Sequence, residues 1–188
     1  FVKIQLENGI YGIGSGCPAE FVTGENIDSC RTILQTKAES FLAKRVWHLD
    51  RRPLQPRALR ESVSLLSNAE KPLIVAGGGV HYSQAAETLR DFAETFGIPV
   101  AETQAGKSAM SWKDSMSVGA IGVTGTSAAN LLANDADVVL VVGSRLQDFT
   151  TASKQAFAPN VKLLHLNVSK YDALKMDSVI LQADAKSG

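Results

Sequence analysis

The sequence holds little that disulfide or metal chemistry could use. Among 188 residues there are two cysteines and three histidines. Cys17 and Cys30 could form one bridge at most, which is no framework, so a cytosolic protein with free thiols is the simpler expectation. His48, His81 and His165 are scattered, and none stands at ligand spacing from a cysteine or another histidine, so no metal site is expected. Net charge is missing as well. Nineteen basic residues balance nineteen acidic ones, leaving no whole-chain field to attract nucleic acid or an anionic membrane. No apolar run approaches the roughly 18 residues that a spanning helix needs. No charged-then-apolar leader opens the chain. No nucleophile-elbow turn accompanies His81, and no catalytic residue is assigned.

What is present is enough apolar residue, 45%, for a real core. The length fits one domain, or one domain with an appendage. Residues 1–55 read as a lead-in or linker. Phe1 to Leu6 alternates like a half-buried strand. Gly12-Ile13-Gly14-Ser15-Gly16 imitates a nucleotide fingerprint but lacks the third glycine and the following helix. Residues 36–50 suggest a short amphipathic helix, and Arg51-Arg52-Pro53 a solvated linker or an interdomain salt bridge.

From Pro56 the pattern is regular. Leu59, Val63, Leu65 and Leu66 share a helical face. Strands are expected at 72–76, 98–101, 117–121, 138–142, 161–168 and 179–183. Helices are expected at 84–96, with Ala85, Leu89, Phe92, Ala93 and Phe96 inward and Gly97 as C-cap, and at 127–134. Several strands are continuous apolar runs, as strands covered on both faces are. The alternation, with right-handed crossovers, predicts an α/β fold: an open, doubly wound, six-stranded parallel sheet over 56–188.

Ligands of such sheets sit beyond the carboxyl ends of the strands. The loops at that edge are Gly77–His81, Thr103–Ser108, Gly122–Thr126, Gly143–Asp148 and Asn167–Lys170. The candidate binding residues are Gly77, Gly78, Gly79, Gly106, Lys107, Gly122, Gly125, Gly143 and Arg145. Four glycine-bearing loops on one edge imply an extended ligand or a close-packed partner domain. Ala101 to Ser108 fits a relaxed phosphate-loop pattern, but its first glycine is missing, no long helix follows, and no strand ends in a magnesium-holding aspartate. A Rossmann dehydrogenase fingerprint is also absent after the first strand. Glu102 reads as a loop carboxylate, His165 as a core or interface histidine, and Arg145 with Asp148 as a local ion pair.

Taken together, these loops resemble the Rossmann-like central domain of thiamine-diphosphate enzymes of the acetolactate synthase type. The resemblance rests on Leu73–Gly79, Ala105–Ser108, Gly122–Thr126, Val138–Asp148 and Lys162–Val168, and covers about residues 41–186. Lys44-Arg45-Val46, Asp50-Arg51-Arg52-Pro53, the string from Glu102 to Ala109 and the string from Asp148 to Lys154 resemble most the branch that hydrolyses a cyclic 1,2-diketone in inositol breakdown. The resemblance implies a three-domain, oligomeric enzyme. In it, a flanking domain supplies the glutamate that activates the thiazolium. Another holds thiamine diphosphate and magnesium through a Gly-Asp-Gly motif that this sequence lacks. This chain alone is therefore expected to be inactive. Flavin-binding relatives cradle FAD on the same edge, with Gly-x-Arg near its phosphates. Here Val123-Thr124 stands where they carry Met-His, and Asn167 stands where they carry an acid, so tightly bound FAD is not expected. A free-standing flavin- or nucleotide-binding module, a carboligase of the acetolactate synthase type and a small phosphate-loop enzyme stay as alternatives.

Overall fold

The computed structural model describes residues 51–188, the backbone of two short strands, Val2–Gln5 and Tyr11–Gly14, and Thr32. The helix expected at 36–50, Gly16, and both cysteines lie outside the described residues. The chain divides into two compact units, Phe1–His48 and Leu49–Gly188. In the first, β1 (Val2–Gln5) pairs antiparallel with β2 (Tyr11–Gly14), which makes Gly12 and Gly14 strand residues.

The second unit runs α1 (Pro56–Ser67), β3 (Pro72–Ala76), α2 (Gly78–Tyr82), α3 (Ala86–Phe96), β4 (Val100–Glu102), β5 (Ser117–Ala120), α4 (Ser127–Asp135), β6 (Val138–Val142), α5 (Asp148–Thr151), β7 (Lys162–Leu166), α6 (Lys170–Leu174) and β8 (Val179–Leu181). Its six strands form one sheet in the order β5-β4-β3-β6-β7-β8, every pair parallel. The expected doubly wound sheet is therefore present. Order reverses between β3 and β6, which places the topological switch point between the loops that follow those two strands.

β6 shows why the run Val138-Val139-Leu140-Val141-Val142 is continuous: all five side chains are buried. Val138, Leu140 and Val142 pack into one layer of core with Ile74, Leu89 and Leu164, while Val139 and Val141 pack into the opposite layer with Leu73, Ala129 and Leu163. At about 2 kcal/mol per aliphatic side chain, this strand alone contributes on the order of 10 kcal/mol of gross hydrophobic stabilisation before chain entropy is subtracted.

Three local expectations need correction. In α1 Ala58, Ser62, Leu65 and Leu66 pack inward, while Leu59 and Val63 share a face with Leu66 but lie at its rim and are exposed. The helix expected at 84–96 is present as α3 but begins at Ala86, because Gln84 adopts φ +56° and separates it from the short α2. Ala85, Leu89 and Ala93 are buried as expected, but Phe96 is 64% exposed and leans on Phe92. Gly97 closes α3 at φ +66°, the left-handed cap that glycine adopts without a Cβ penalty.

Arg51 is drawn into the domain and does not lie on a solvated linker. Its guanidinium donates to the Ser83 carbonyl at 2.9 Å and to Asp184 at 2.8 Å, while the Asp184 amide donates to the Arg52 carbonyl. The Asp184 carboxylate is nearly enclosed and its partner is about one third exposed. An Arg51→Ala, Asp184→Ala double-mutant cycle is expected to give a coupling of about 1–2 kcal/mol, read by urea denaturation. A coupling near zero would show that the pair is screened.

Candidate functional site

The switch point is built from backbone lying against backbone. Gly77 donates its amide to the Val142 carbonyl at 2.8 Å, and Gly79 donates to the Gly143 carbonyl at 2.9 Å. A Cβ on Gly77 would lie 2.6 Å from the Ser144 Cα, and one on Gly79 2.6 Å from the Gly143 Cα. Gly143 has φ +62°, and a Cβ there would lie 2.5 Å from the Gly79 Cα. Gly106 closes the other side, where a Cβ would meet the Ala76 carbonyl carbon at 2.7 Å. Gly78 faces outward toward Ala105 and Tyr82 and has more room. The structure thus brings Gly77, Gly79, Gly106 and Gly143 together as three interlocked loops of one domain. Their lack of side chains is fully used in that packing.

The segment resembling a phosphate loop folds differently. Gln104–Gly106 is a single 3-10 turn capped by Thr103, whose hydroxyl accepts from the Gly106 amide. Turns follow it, without a helix. Lys107 is exposed, and its carbonyl lies 3.0 Å from His81 Nε2. Glu102 is buried and accepts from the Met110 amide at 2.7 Å. That bond makes it a brace for the following loop.

Gly122 and Gly125 form a second cluster. Gly122 has φ +103°, and a Cβ there would meet the Thr150 Cα at 2.8 Å. A residue not singled out from sequence, Asn130 of α4, grips this turn. Its Oδ1 accepts from the Gly122 amide at 2.9 Å and its Nδ2 donates to the Gly122 carbonyl at 3.0 Å. Gln104 donates to the Thr124 hydroxyl, tying this loop to the one bearing Lys107.

Arg145 is exposed beside a pocket of about 360 Å³ whose lining includes Asp148, Lys154 and Lys175. The expected Arg145–Asp148 ion pair is absent among the described residues. The Arg145 guanidinium reaches Gln147 Oε1 at 3.4 Å, and Leu146 between them has φ +44°. Charges three apart meet when the backbone is helical, and here it is not. Ala152, Ser153 and Lys154 are also left-handed, at φ 47°, 56° and 69°. The Ser153 amide donates to the Asp148 carbonyl, and the Lys154 amide to the Thr151 hydroxyl, which holds the run in place.

Behind Arg145 the Ser144 carbonyl accepts two hydrogen bonds, from His165 Nε2 at 2.7 Å and Asn167 Nδ2 at 2.8 Å. His165 is fully buried, which agrees with its expected core position, and its Nδ1 has no partner. Nε2 therefore carries the proton. Burial pushes the His165 pKa down, against smaller opposing effects from the Ser144 carbonyl and Asp172, with Lys175 adding to the depression.

The folded chain consequently binds fewer protons than the unfolded chain just below pH ~6.5, the ordinary histidine value. Stability from this group is complete above that pH and is lost as pH falls through the folded pKa. Three carboxylates are also held below their ordinary value. Asp172 is lowered first by Lys175. For Asp184 and Asp137, burial acts upward, but hydrogen bonds from Ser83 and Arg51, and from the Glu70 and Lys71 amides, outweigh it. Their contribution is lost only below about pH 3.9. Thermal midpoints measured against pH should therefore begin to fall below about 6.5, and His165→Gln, which keeps a donor for Ser144, should flatten the pH 5–6.5 segment. An unchanged slope in that variant would assign the loss to another group.

A family model described as "Thiamine pyrophosphate enzyme, central domain" matches residues 59–187. A Clostridium tetani protein named 3D-(3,5/4)-trihydroxycyclohexane-1,2-dione hydrolase is 48% identical over 151 residues, 80% of this chain and 23% of that protein. Proteins of the same name from Geobacillus thermodenitrificans and Bacillus thuringiensis are 49% identical over 150 residues and 47% identical over 147 residues, again 23% of their length. The chain spans less than a quarter of the curated relatives it matches.

Proposed function

Because this chain belongs to the thiamine pyrophosphate enzyme central-domain family, we propose that it is the middle domain of a C–C hydrolase that opens trihydroxycyclohexane-1,2-dione in inositol degradation. The observation that carries this reading is 47–49% identity to relatives of that name across four fifths of the chain. In the full-length protein the cofactor would supply carbanion chemistry.

The residues described here do not fit the cofactor's diphosphate–magnesium end. Among them, no group of three or more His, Cys, Asp or Glu side chains could hold a metal ion. Buried Glu102 and Asp184 are already committed to the Met110 amide and to Arg51. The flanking domains would hold thiamine diphosphate and magnesium. The task left for this domain is mechanical: a rigid edge against which those domains pack. Tyr82, Val123 and Phe149 support this, since each belongs to an edge loop or its adjoining helix and leaves most of its apolar side chain exposed. Lys107, Arg145, Gly122 and Gly125 lie on the same edge and would border that junction. A homo-oligomer in the cytoplasm fits this reading. Among the described residues, no helix is long and apolar enough to cross a membrane.

A second reading, FAD or another nucleotide on the edge loops, draws support from Arg145, Lys154 and Lys175 around one pocket. Against it, the switch-point crevice is filled by Gly143 packed on Gly77 and Gly79, and Asn167 is engaged with the Ser144 carbonyl. The test is to supply the full-length protein with thiamine diphosphate, magnesium and either the cyclic diketone or pyruvate. Release of the ring-opened acid supports the hydrolase. Acetolactate from pyruvate, with the diketone left intact, would replace it with a carboligase. A yellow preparation absorbing in the visible blue would favour the flavin reading.

A further inference from the structure

Backbone strain in this domain is concentrated at one place. Among the described residues, seven other than glycine have positive φ, and five of them gather around the pocket beside Arg145. Leu146 and Lys154 belong to its lining, Ala152 and Ser153 lead into Lys154, and Asp177, at φ +50°, follows the lining residue Met176. Residues with a Cβ avoid this conformation, and strained backbone of this kind collects where a side chain must be aimed at a ligand. Arg145 precedes α5, Lys154 follows it and Lys175 follows α6, yet the three cationic side chains meet on this one concavity.

Two of these cations are not neutralised by their neighbours. Among the described residues, neither Arg145 nor Lys154 has a carboxylate within ion-pair distance, and Arg145 makes only its long contact with Gln147. Lys175 is paired with Asp172 at 2.6 Å. A guanidinium beside two ammonium groups suits an oxyanion, since the fork takes two oxygens and the lysines act as point charges. Asp148 is the one acidic side chain in the lining. It would repel a bare anion but accepts hydrogen bonds from one that also carries hydroxyl groups, as does Gln147 Oε1. No aromatic side chain lines the pocket to stack a flavin or purine ring, and its volume of about 360 Å³ is at the lower end for small-molecule sites.

We propose that this pocket binds a small polyhydroxylated anion, a sugar acid or a sugar phosphate, with its anionic group on Arg145, Lys154 and Lys175 and its hydroxyls on Asp148 and Gln147. The strained run 152–154 is what holds Lys154 opposite Arg145. The site is distinct from the crevice between β3 and β6, which Gly143 fills by packing on Gly77 and Gly79. The inference uses only residues of this domain and stands whichever reaction the full-length protein performs.

Isothermal titration calorimetry on the full-length protein tests it, with D-gluconate, D-glucose 6-phosphate, acetate, inorganic phosphate and FAD as probes. Saturable binding of gluconate or glucose 6-phosphate is expected, weakening as salt is raised. The tighter of the two tells a carboxylate from a phosphate, and each should bind more tightly than its hydroxyl-free counterpart, acetate or inorganic phosphate. Arg145→Gln and Lys154→Gln should each weaken the sugar probe by about tenfold or more, and Asp148→Ala should remove its advantage over the hydroxyl-free anion. Lys162→Gln, at the opposite end of β7, should change nothing. Lys154 is exposed, so its variant loads no buried position, and circular dichroism confirms that each variant is folded. No binding of either sugar probe, binding that Arg145→Gln and Lys154→Gln leave intact, equal affinity for the hydroxyl-free anions, or binding of FAD alone would overturn the inference. Binding is read without cofactor or diketone, so failure here is distinguishable from failure of the proposed reaction.

Discussion

Gly143→Ala is expected to destabilise the domain by about 3–4 kcal/mol, whereas Gly97→Ala should cost only about 1 kcal/mol. The two glycines have nearly the same backbone conformation, φ +62° and +66°. A left-handed alanine costs about 1–2 kcal/mol wherever it stands. The difference lies in the space around them. Nothing lies within 4 Å of a Cβ on Gly97, but on Gly143 the Cβ would stand 2.5 Å from the Gly79 Cα and 2.9 Å from the Gly79 carbonyl carbon. Backbone cannot rotate away as a side chain can, so overpacking adds about 1–3 kcal/mol to the conformational cost. At about 2–4 °C per kcal/mol for a chain of this size, the Gly143 variant should melt roughly 10 °C lower and the Gly97 variant only a few degrees lower. Equal losses would mean that conformation alone selects glycine at 143 and that the interlocked loops carry no energetic weight.

Asn130→Ala is expected to cost about 2–3 kcal/mol, an unusual loss for a residue outside the aliphatic core. Its amide answers both the N–H and the C=O of Gly122, whose backbone is buried beneath Phe149 and Thr150. Removing the side chain strands the Gly122 N–H, worth about 1–3 kcal/mol when left unsatisfied, and takes one of two bonds from the Gly122 C=O, which keeps the Gly125 amide at 2.9 Å, a further loss of about 1 kcal/mol. Asn130→Asp should recover little, since a carboxylate keeps the acceptor but repels the Gly122 carbonyl. Urea midpoints of the two variants read this directly. A loss below about 0.5 kcal/mol in Asn130→Ala would mean that water replaces the amide without penalty.

Much of this architecture was legible in the sequence. The run 138–142 lies between Asp137 and Gly143 and is apolar throughout, so it could only be a doubly covered strand, and β3 with its glycines reads the same way. The alternation of such strands with helices was enough for the sheet. The glycine loops identified the family, because their order along the chain is itself a pattern.

The purpose of those glycines was not legible. Gly79 and Gly143 are 64 positions apart, and they meet because β3 and β6, far apart in sequence, are neighbours in the sheet. Only the strand order shows that one glycine loop is the steric partner of another. Asn130 escaped for the same reason, as did the hold of His165 and Asn167 on the Ser144 carbonyl, since a polar side chain that braces a distant backbone has no local signature. The break at Gln84 and the run Ala152–Lys154 were missed because non-glycine residues at positive φ do not announce themselves. The inward position of Ser62 in α1 was missed because it is small and polar, whereas Leu59 and Val63 were the more apolar choices.

The central claim is a division of labour, in which this domain frames an enzyme whose cofactor is held elsewhere in the polypeptide. Calorimetric titration with thiamine diphosphate in the presence of magnesium tests it most directly. It should be run in parallel on the full-length protein and on the 188-residue chain, with circular dichroism confirming that both are folded. Saturable, magnesium-dependent binding to the full-length protein and no heat of binding to the 188-residue chain is the expected result. Binding of comparable affinity to the short chain would contradict the claim and return the cofactor to the glycine-lined edge.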